Sequence, residues 1–436
     1  MAQAEAELEL ETAPAEPAPA PSRSPIAALA FTQFRLLFAG SVFANLGNWM
    51  QQFALGWLVV ELAVRDGHPE LAALYLGFIG LARFIPGLGI GILGGVAADR
   101  VDRRTLLLTT RTASALITAV LAALVLSGRV NLVAVMALTA LNTATFGFDA
   151  PARMAVIPRL VAPGYMWSAM SITRATQHSS LLLGPFLGGI LIVPIGVGGV
   201  MAVNAVLYVL SVAVLFGMEP APVEDEHRSG SAFDSLVEGL RFVRHSPLNL
   251  WLLVYGVVFS IFLQSYQQLL PAVAHDSLHV GAVELSWMVS AAGLGALIGS
   301  TTVATLGGVR QMGWLLLGDA VLASVVIILL GIERDLVPAI VNVGVLGFTA
   351  VVFGATVGNV TQSHLPDRFR GRVIGLQVMT WQAGSPLGTV LLGTTAAFIG
   401  IGNAMIGAGA IVLLATALFA LRVPVVRDVE LAPGFR

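Results

Sequence analysis

Stretches of about 20 apolar residues recur along the whole chain with almost no charge inside them, and this one feature restricts the fold more than any other. Of 436 residues, 56% are hydrophobic and 11% charged. A water-soluble domain carries roughly a quarter charged residues, so there is too little polar surface here to face water. A helix needs ~20 residues to cross a bilayer core of about 30 Å. Setting aside a polar N-terminal tail and one central hydrophilic stretch, the chain is long enough for twelve crossings. The expected windows are 35–60, 71–95, 105–127, 131–149, 165–193, 198–218, 248–273, 283–306, 311–332, 336–359, 373–399 and 402–422. The fold class is therefore an all-α integral membrane protein of twelve transmembrane helices.

The polar segments divide the chain. Residues 1–30 begin with alternating Glu and continue in Ala and Pro, too polar and proline-rich to pack, and are expected to be a disordered cytoplasmic tail. Residues 219–247 form the longest later interruption and separate a six-helix bundle at 31–218 from another at 248–422, with 423–436 as a second tail. Gln51-Gln52 and Gln267-Gln268 occupy the first helix of each half, and Pro163 with Pro185 has a counterpart in Pro366 with Pro386; both fit duplicated halves. With the N-terminus inside, 17 arginines fall in inside segments and 3 in outside loops. That asymmetry predicts both termini in the cytoplasm of a cell whose plasma (inner) membrane holds the chain. Trp167, Trp251, Trp287 and Trp314 stand near span starts, where an interfacial aromatic belt is expected.

Composition also excludes functions. The net charge of -2 offers no basic block for a phosphate backbone, so no nucleic-acid partner is expected. All 23 cations are Arg. Without Lys there is no Walker lysine and no Schiff base, and any pump must draw its energy from outside the chain. There is no Cys and no HExxH, and the seven His are dispersed, so neither metal, cofactor nor enzymatic chemistry is expected.

The segment Gly95-Val96-Ala97-Ala98-Asp99-Arg100-Val101-Asp102-Arg103-Arg104 joins the second and third windows. Gly permits close helix approach, Asp accepts hydrogen bonds at a helix end, and Arg binds lipid phosphate; a plain topogenic loop has the same composition. The segment resembles the G-x-x-x-D-R-x-G-R-R signature of major facilitator superfamily transporters, with Asp102 in place of the last glycine. The resemblance implies two pseudo-symmetric six-helix bundles and a gating role for Gly95, Asp99, Arg100, Arg103 and Arg104. In the fifth helix, Gly184-Pro185-Phe186-Leu187-Gly188-Gly189 resembles the G-P-x-x-G-G motif of antiporters in that superfamily, with Ser180 replacing an upstream glycine. It implies a hinge or seal at Gly184, Pro185, Gly188 and Gly189; a merely close-packed helix is the alternative. Asp149-Ala150-Pro151-Ala152-Arg153, Ile157-Pro158-Arg159-Leu160 and the Arg-rich Pro366-Asp367-Arg368-Phe369-Arg370-Gly371-Arg372 loop resemble the branch containing the enterobactin exporter and macrolide efflux proteins. That adds Asp149, Arg153, Asp367, Arg368 and Arg372 as gating candidates.

Polar side chains in hydrocarbon must face a wet cavity or each other. Asn45, Asn48 and Gln52 recur on one face of the first helix with Trp49, and Gln264, Gln267 and Gln268 on one face of the seventh. With Gln177, Gln377, Trp381 and Gln382 they are the candidate substrate-binding residues; interhelical hydrogen-bonding is the competing role. Arg83, Arg111 and Arg174 lie within or near spans and need partners or water. Asp149, His178 and Asp319 are the proton-coupling candidates, although Asp149 is better explained by a salt bridge with Arg153 or an arginine of the opposing bundle. The cavity is expected to be largely uncharged and to suit neutral or weakly polar substrates.

The expected function is secondary active export of a small amphipathic or hydrophobic molecule, drug- or siderophore-like, by proton antiport from a monomer in the lipid bilayer. The alternatives are a lipid or lysophospholipid facilitator or importer independent of the proton gradient, and a membrane scaffold or receptor.

Overall fold

A computed structural model describes residues 24–100, 102–219, 232–305 and 311–430, with side chains except at 88–100, 232–236, 304, 305, 367, 368 and 382. The regular structure of these residues is helical. The first helices are α1 (Thr32–Arg65), α2 (Ala72–Arg100), α3 (Arg103–Leu126) and α4 (Leu132–Leu160). The helical stretch Met166–Phe216 has 51 residues. Run straight it would be about 77 Å long, more than twice a bilayer core. Gly196, at φ 67, breaks it into α5 (166–195) and α6 (197–216). The reversal shows in their packing on α1: Gly184 and Gly188 of α5 meet Trp49 and Phe53 in ascending order, whereas Asn204 and Ser211 of α6 meet Gly47 and Gly40 in descending order.

After α7 (Ala232–His245) come α8 (Pro247–Ser277), α9 (Ala282–Thr305), α10 (Met312–Ile332), α11 (Leu336–His364), α12 (Asp367–Ile399) and α13 (Ile401–Arg422). Nine helical stretches among the described residues are long and apolar enough to cross a membrane, with 163–216 taken as one. The reversal at Gly196 divides that stretch, and α1 and α12 are long enough but more polar. Helices α1–α6 pack as one bundle and α8–α13 as the other, the arrangement that the sequence resemblance implies.

The observed helices follow the expected windows within a few residues, with four departures. Residues 24–30 are ordered: Ala28 N donates to Ser168 Oγ at 3.0 Å, that hydroxyl donates to Pro25 O at 2.8 Å, and Phe31 sits edge-on to Tyr165. The disorder expected over 1–30 therefore does not extend to residues 24–30; residues 1–23 lie outside the described residues. Within the linker, α7 docks on α12, with Phe242 stacked on Phe369 at 4.3 Å and Val243 buried beside Leu365 and Val373. Helix α4 continues past Pro151 and Pro158, so Asp149 and Arg153 lie inside a helix and not at its end. Membrane bundles accept such prolines where neighbours restore the lost bonds. The expected loop at 366–372 is the first turns of α12, entered at Pro366.

The chain's described ends mark one face of the molecule. The start of α5 holds Ala28 through Ser168 and its far end meets the start of α9 at Gly189 and Ser286, so α9 returns to the side of residues 24–33, where Gly313 N donates to Val429 O and Gln33 accepts from Glu219 N. Trp167, Trp251, Trp287 and Trp314 are all exposed near helix starts, where an aromatic belt belongs. The core of the first bundle contains a polar node. Buried Gln51 Oε1 accepts from Asn204 Nδ2 at 2.7 Å, Asn142 Nδ2 at 3.2 Å and Thr118 Oγ1 at 3.3 Å. One side chain thereby joins α1 to α3, α4 and α6. Gln51→Leu leaves three donors without their acceptor, and at about 0.6–1.7 kcal/mol for a bond in a membrane interior the loss is about 2–5 kcal/mol. Differential scanning fluorimetry in detergent is expected to show a clear fall in Tm, which the substitution Ile332→Ala at an exposed position does not produce.

Candidate functional site

A central cavity lies between the bundles in two connected compartments of about 470 and 480 Å³. Trp49, Gln52, Leu55, Arg83 and Leu181 line both. The first compartment spans the two bundles and is mainly apolar, with Phe53, Leu76 and Ile79 facing Leu285, Val289 and Val351. Its wall on the second bundle ends in an aromatic stack: Phe259 lies on Phe353 at 3.7 Å, and Trp381 continues it at 6.1 Å from Phe353. Gly354 makes room for that indole, since a Cβ there would sit 2.6 Å from the Trp381 ring. The second compartment is polar and belongs to the first bundle, lined by Asn45, Asn48, Thr139, Asn142, Thr143, Gln177 and His178.

The cavity is closed toward the end away from the chain termini. There α2 meets α12 so closely that a methyl on Gly77 would lie 2.9 Å from the Val390 backbone and one on Gly80 3.4 Å from Pro386. On the opposite side α5 meets α9: Gly189 lies against Ser286 and the Ala282 carbonyl, Gly293 against Leu182, and Ser290 Oγ donates to Leu182 O at 3.3 Å. Gly184 and Gly188 serve a different contact. A Cβ on Gly184 would be 2.5 Å from Trp49 Cβ, so these two seat α5 on α1 and hold Trp49 against the cavity. Pro185 lines the cavity itself.

The remaining candidates separate into those the fold brings to the cavity and those it does not. Asn48, Trp49, Gln52, Gln177, Gln264, Gln267, Gln268 and Trp381 line it. Gln268 Nε2 also donates to Ser385 Oγ at 3.0 Å, tying α8 to α12. Asn45 lines the polar compartment too, but it is only 8% exposed and accepts from Arg153 Nη1 at 3.2 Å, which links it to the ion-pair cluster described next. Gln377 donates to Thr361 Oγ1 at 2.6 Å and joins α12 to α11 instead of walling the cavity. The Gln382 side chain lies outside the described residues, as do those of Gly95, Asp99, Arg100, Asp367 and Arg368, whose backbone is helical.

Asp149 is not at the cavity. Its Oδ1 accepts from Arg111 Nε at 3.0 Å, and Oδ2 stands 3.9 Å from Arg153 Nε, with all three side chains buried. The partner beyond Arg153 is therefore an arginine of the same bundle and not of the opposing one. Arg111 further donates to Ser211 Oγ at 2.7 Å and Ser41 Oγ at 3.3 Å, while Ser211 donates to Gly40 O at 2.7 Å. Four helices of the first bundle, α1, α3, α4 and α6, meet at this cluster. Arg104 Nη2 donates to Phe216 O at 2.8 Å, closing the end of α6. Asp102, where the resembled signature has glycine, caps α3 by accepting from Thr105 N at 2.9 Å and Thr105 Oγ1 at 2.8 Å. Arg372 pairs with Glu238 of α7 at 2.8 Å. Asp319 is buried in α10 away from the cavity, leaving His178 as the proton-coupling candidate that faces it.

The sequence reading missed two cavity features. Asn142, Thr143 and Phe146 of α4 carry too weak a pattern to be separated from core residues. Arg83 is visible as a charge inside an apolar span, yet the expected cavity is uncharged; in fact Arg83 stands on the wall shared by both compartments and donates to Gln52 Oε1 at 3.2 Å.

The family model described as transmembrane secretion effector matches residues 23–434. The chain is 26% identical over 408 residues to the multidrug efflux pump Tap of Mycolicibacterium fortuitum, covering 91% of this chain and 97% of that one. It is 27% identical over 337 residues to the enterobactin exporter EntS of Shigella boydii, covering 77% and 79%. The crystal structure of a bacterial homologue of the human lysosomal transporter Spinster, inward-facing and occupied, shares the fold with a TM-score of 0.71 at 13% identity, covering 95% of this chain and 100% of that one.

The ion-pair cluster makes an ordered prediction. Asp149→Asn leaves two buried guanidinia without their carboxylate and is expected to cost about 3–5 kcal/mol. Arg111→Gln leaves Arg153 to face Asp149 and is expected to cost less, and thermal unfolding of the two purified variants checks the order.

Proposed function

The chain belongs to the transmembrane secretion effector family of the major facilitator superfamily, and from that membership we propose that it exports a small amphipathic or hydrophobic molecule by proton-coupled antiport. One observation carries the reading. A cavity with one polar and one aromatic, apolar compartment lies between two bundles that touch through glycines at the end away from the termini. Such a cavity accepts an amphipathic molecule, and small-residue contacts part without breaking a network of strong bonds.

In the proposed orientation both termini are cytoplasmic in the inner membrane, so the closed end faces outward and this is an inward-facing state. Substrate enters from the cytoplasm and takes up places against Asn48, Gln52, Gln177 and Trp49 on one side and Gln264, Gln267 and Trp381 on the other. Closure at the terminus end then draws the first turns of α12, carrying Asp367, Arg368 and Arg372, toward the Gly95–Arg104 segment, with Asp99 as the principal gating residue. The far-end contacts at Gly77, Gly189 and Gly293 open in exchange. Asp149 and Arg153 act in this scheme as the rigid core of the moving first bundle. Proton return through the cavity is assigned to His178, which faces the polar compartment. The working unit is the monomer, because each bundle finds its partner within the chain.

Intracellular retention of a labelled macrolide, siderophore, lysolipid and neutral dye in expressing cells tests the proposal. Depletion of one compound that stops when a protonophore is added is the expected result. Gly189→Leu, which places bulk between α5 and α9, is expected to return retention to the level of non-expressing cells while membrane insertion is unchanged. Depletion indifferent to the protonophore would support a facilitator instead, and depletion of nothing would remove the export reading.

A further inference from the structure

We infer that the cavity selects substrates carrying a carboxylate, with Arg83 as the residue that recognises it. This rests on the export reading and names the chemical class of the substrate.

The charge inventory of the cavity is one-sided. Among the described residues lining the two compartments there is no Asp or Glu, whereas Arg83 lines both and His178 lines the polar one. The acidic groups elsewhere in the spans are held or placed otherwise: Asp149 is shared by Arg111 and Arg153, Asp276 pairs with His275, Asp319 is buried in α10, and Glu61 is exposed near the end of α1. The partner of Arg83 among the described residues is the neutral amide of Gln52, which accepts a single bond from Nη1. A guanidinium offers five N–H donors in a planar fork shaped for two parallel bonds to a carboxylate.

Arginine in the middle of an apolar helix is costly and is kept where it has a counter-charge, water or a task. A purely structural guanidinium takes the form seen at Arg111, which is fully buried and bonded to a carboxylate and two hydroxyls. Arg83 differs on each count: it is only partly buried, faces a cavity and lacks a carboxylate among the described residues. While the cavity is open, water solvates the cation; when both ends close around cargo, the cargo must supply the counter-charge. An amine would instead be repelled by Arg83 with no carboxylate nearby to offset it. The remaining walls fit the body of such a substrate, with amide donors at Asn48, Gln52 and Gln177 around the charged group and the Trp381 aromatic stack opposite for an apolar or aromatic tail.

The test uses three probes of similar apolar body: dansyl-leucine (a carboxylate), its neutral amide, and dansylcadaverine (an amine). Binding to the purified full chain is followed by energy transfer from tryptophan, and transport by flux into proteoliposomes. The wild type is expected to bind the carboxylate about tenfold tighter than the amide and to disfavour the amine, as a desolvated charge pair does. Arg83→Gln is expected to erase that preference by weakening the carboxylate alone, with unchanged amide binding showing an intact fold, and Arg83→Lys to retain part of it. Equal affinity for carboxylate and amide in the wild type, an equal loss of both in Arg83→Gln, or no binding of any probe would overturn the inference. Arg83-dependent binding without flux would leave the substrate class standing and remove the export reading. Flux of all three probes with no Arg83-dependent preference would do the reverse.

Discussion

A bilayer core supplies no hydrogen-bond partners, and the rest of this structure follows from where the chain puts its few polar groups under that constraint. Backbone polarity is satisfied within helices. In the first bundle, side-chain polarity is concentrated in three places, all turned inward: the Gln51 node, the Arg111–Asp149–Arg153 cluster, and the cavity. The first two tie four helices of the first bundle to one another. The third is left open between the bundles.

The second bundle is organised differently. Tyr255, Phe259, Phe353 and Trp381 form a continuous aromatic layer, and the Tyr255 hydroxyl is bonded to Thr416 at 2.8 Å. Where the first bundle uses charge, this one uses shape. The cavity inherits the difference, polar on one side and aromatic on the other. Between the bundles the far-end contacts are backbone against backbone at glycines. Apart from the single bond from Ser290 to the Leu182 carbonyl, such contacts hold by close packing and carry no ion pair, among the described residues, that must be broken for the bundles to separate.

Much of this was legible in the residues. The twelve windows lie close to the observed helices because apolar length is a local property. The Asn48–Gln52 and Gln264–Gln268 faces were readable from helical spacing, and both reach the cavity. Gly184, Gly188 and Gly189 were legible as positions of close helix packing, though not that the first two seat α5 on α1 while the third meets α9. The misreadings have a common cause. Gln377 carries the same residue type as the cavity groups but is bonded to Thr361 on another helix, and Asn45 divides itself between the cavity wall and Arg153. Asp149 found Arg111, 38 residues earlier, for which no local pattern gives notice.

By itself the sequence determined that the chain is a helical membrane protein, how many times it can cross, which segments are polar, and which helices carry a polar face. These depend on hydropathy and on the 3.6-residue repeat, which act within a single helix. The tertiary structure alone decided which polar residues pair with each other and which stand on the cavity wall. It also decided that Arg83 belongs to the second group, because pairing depends on the faces that different helices present to one another, and a guanidinium looks the same in sequence whether a carboxylate or a cavity stands opposite.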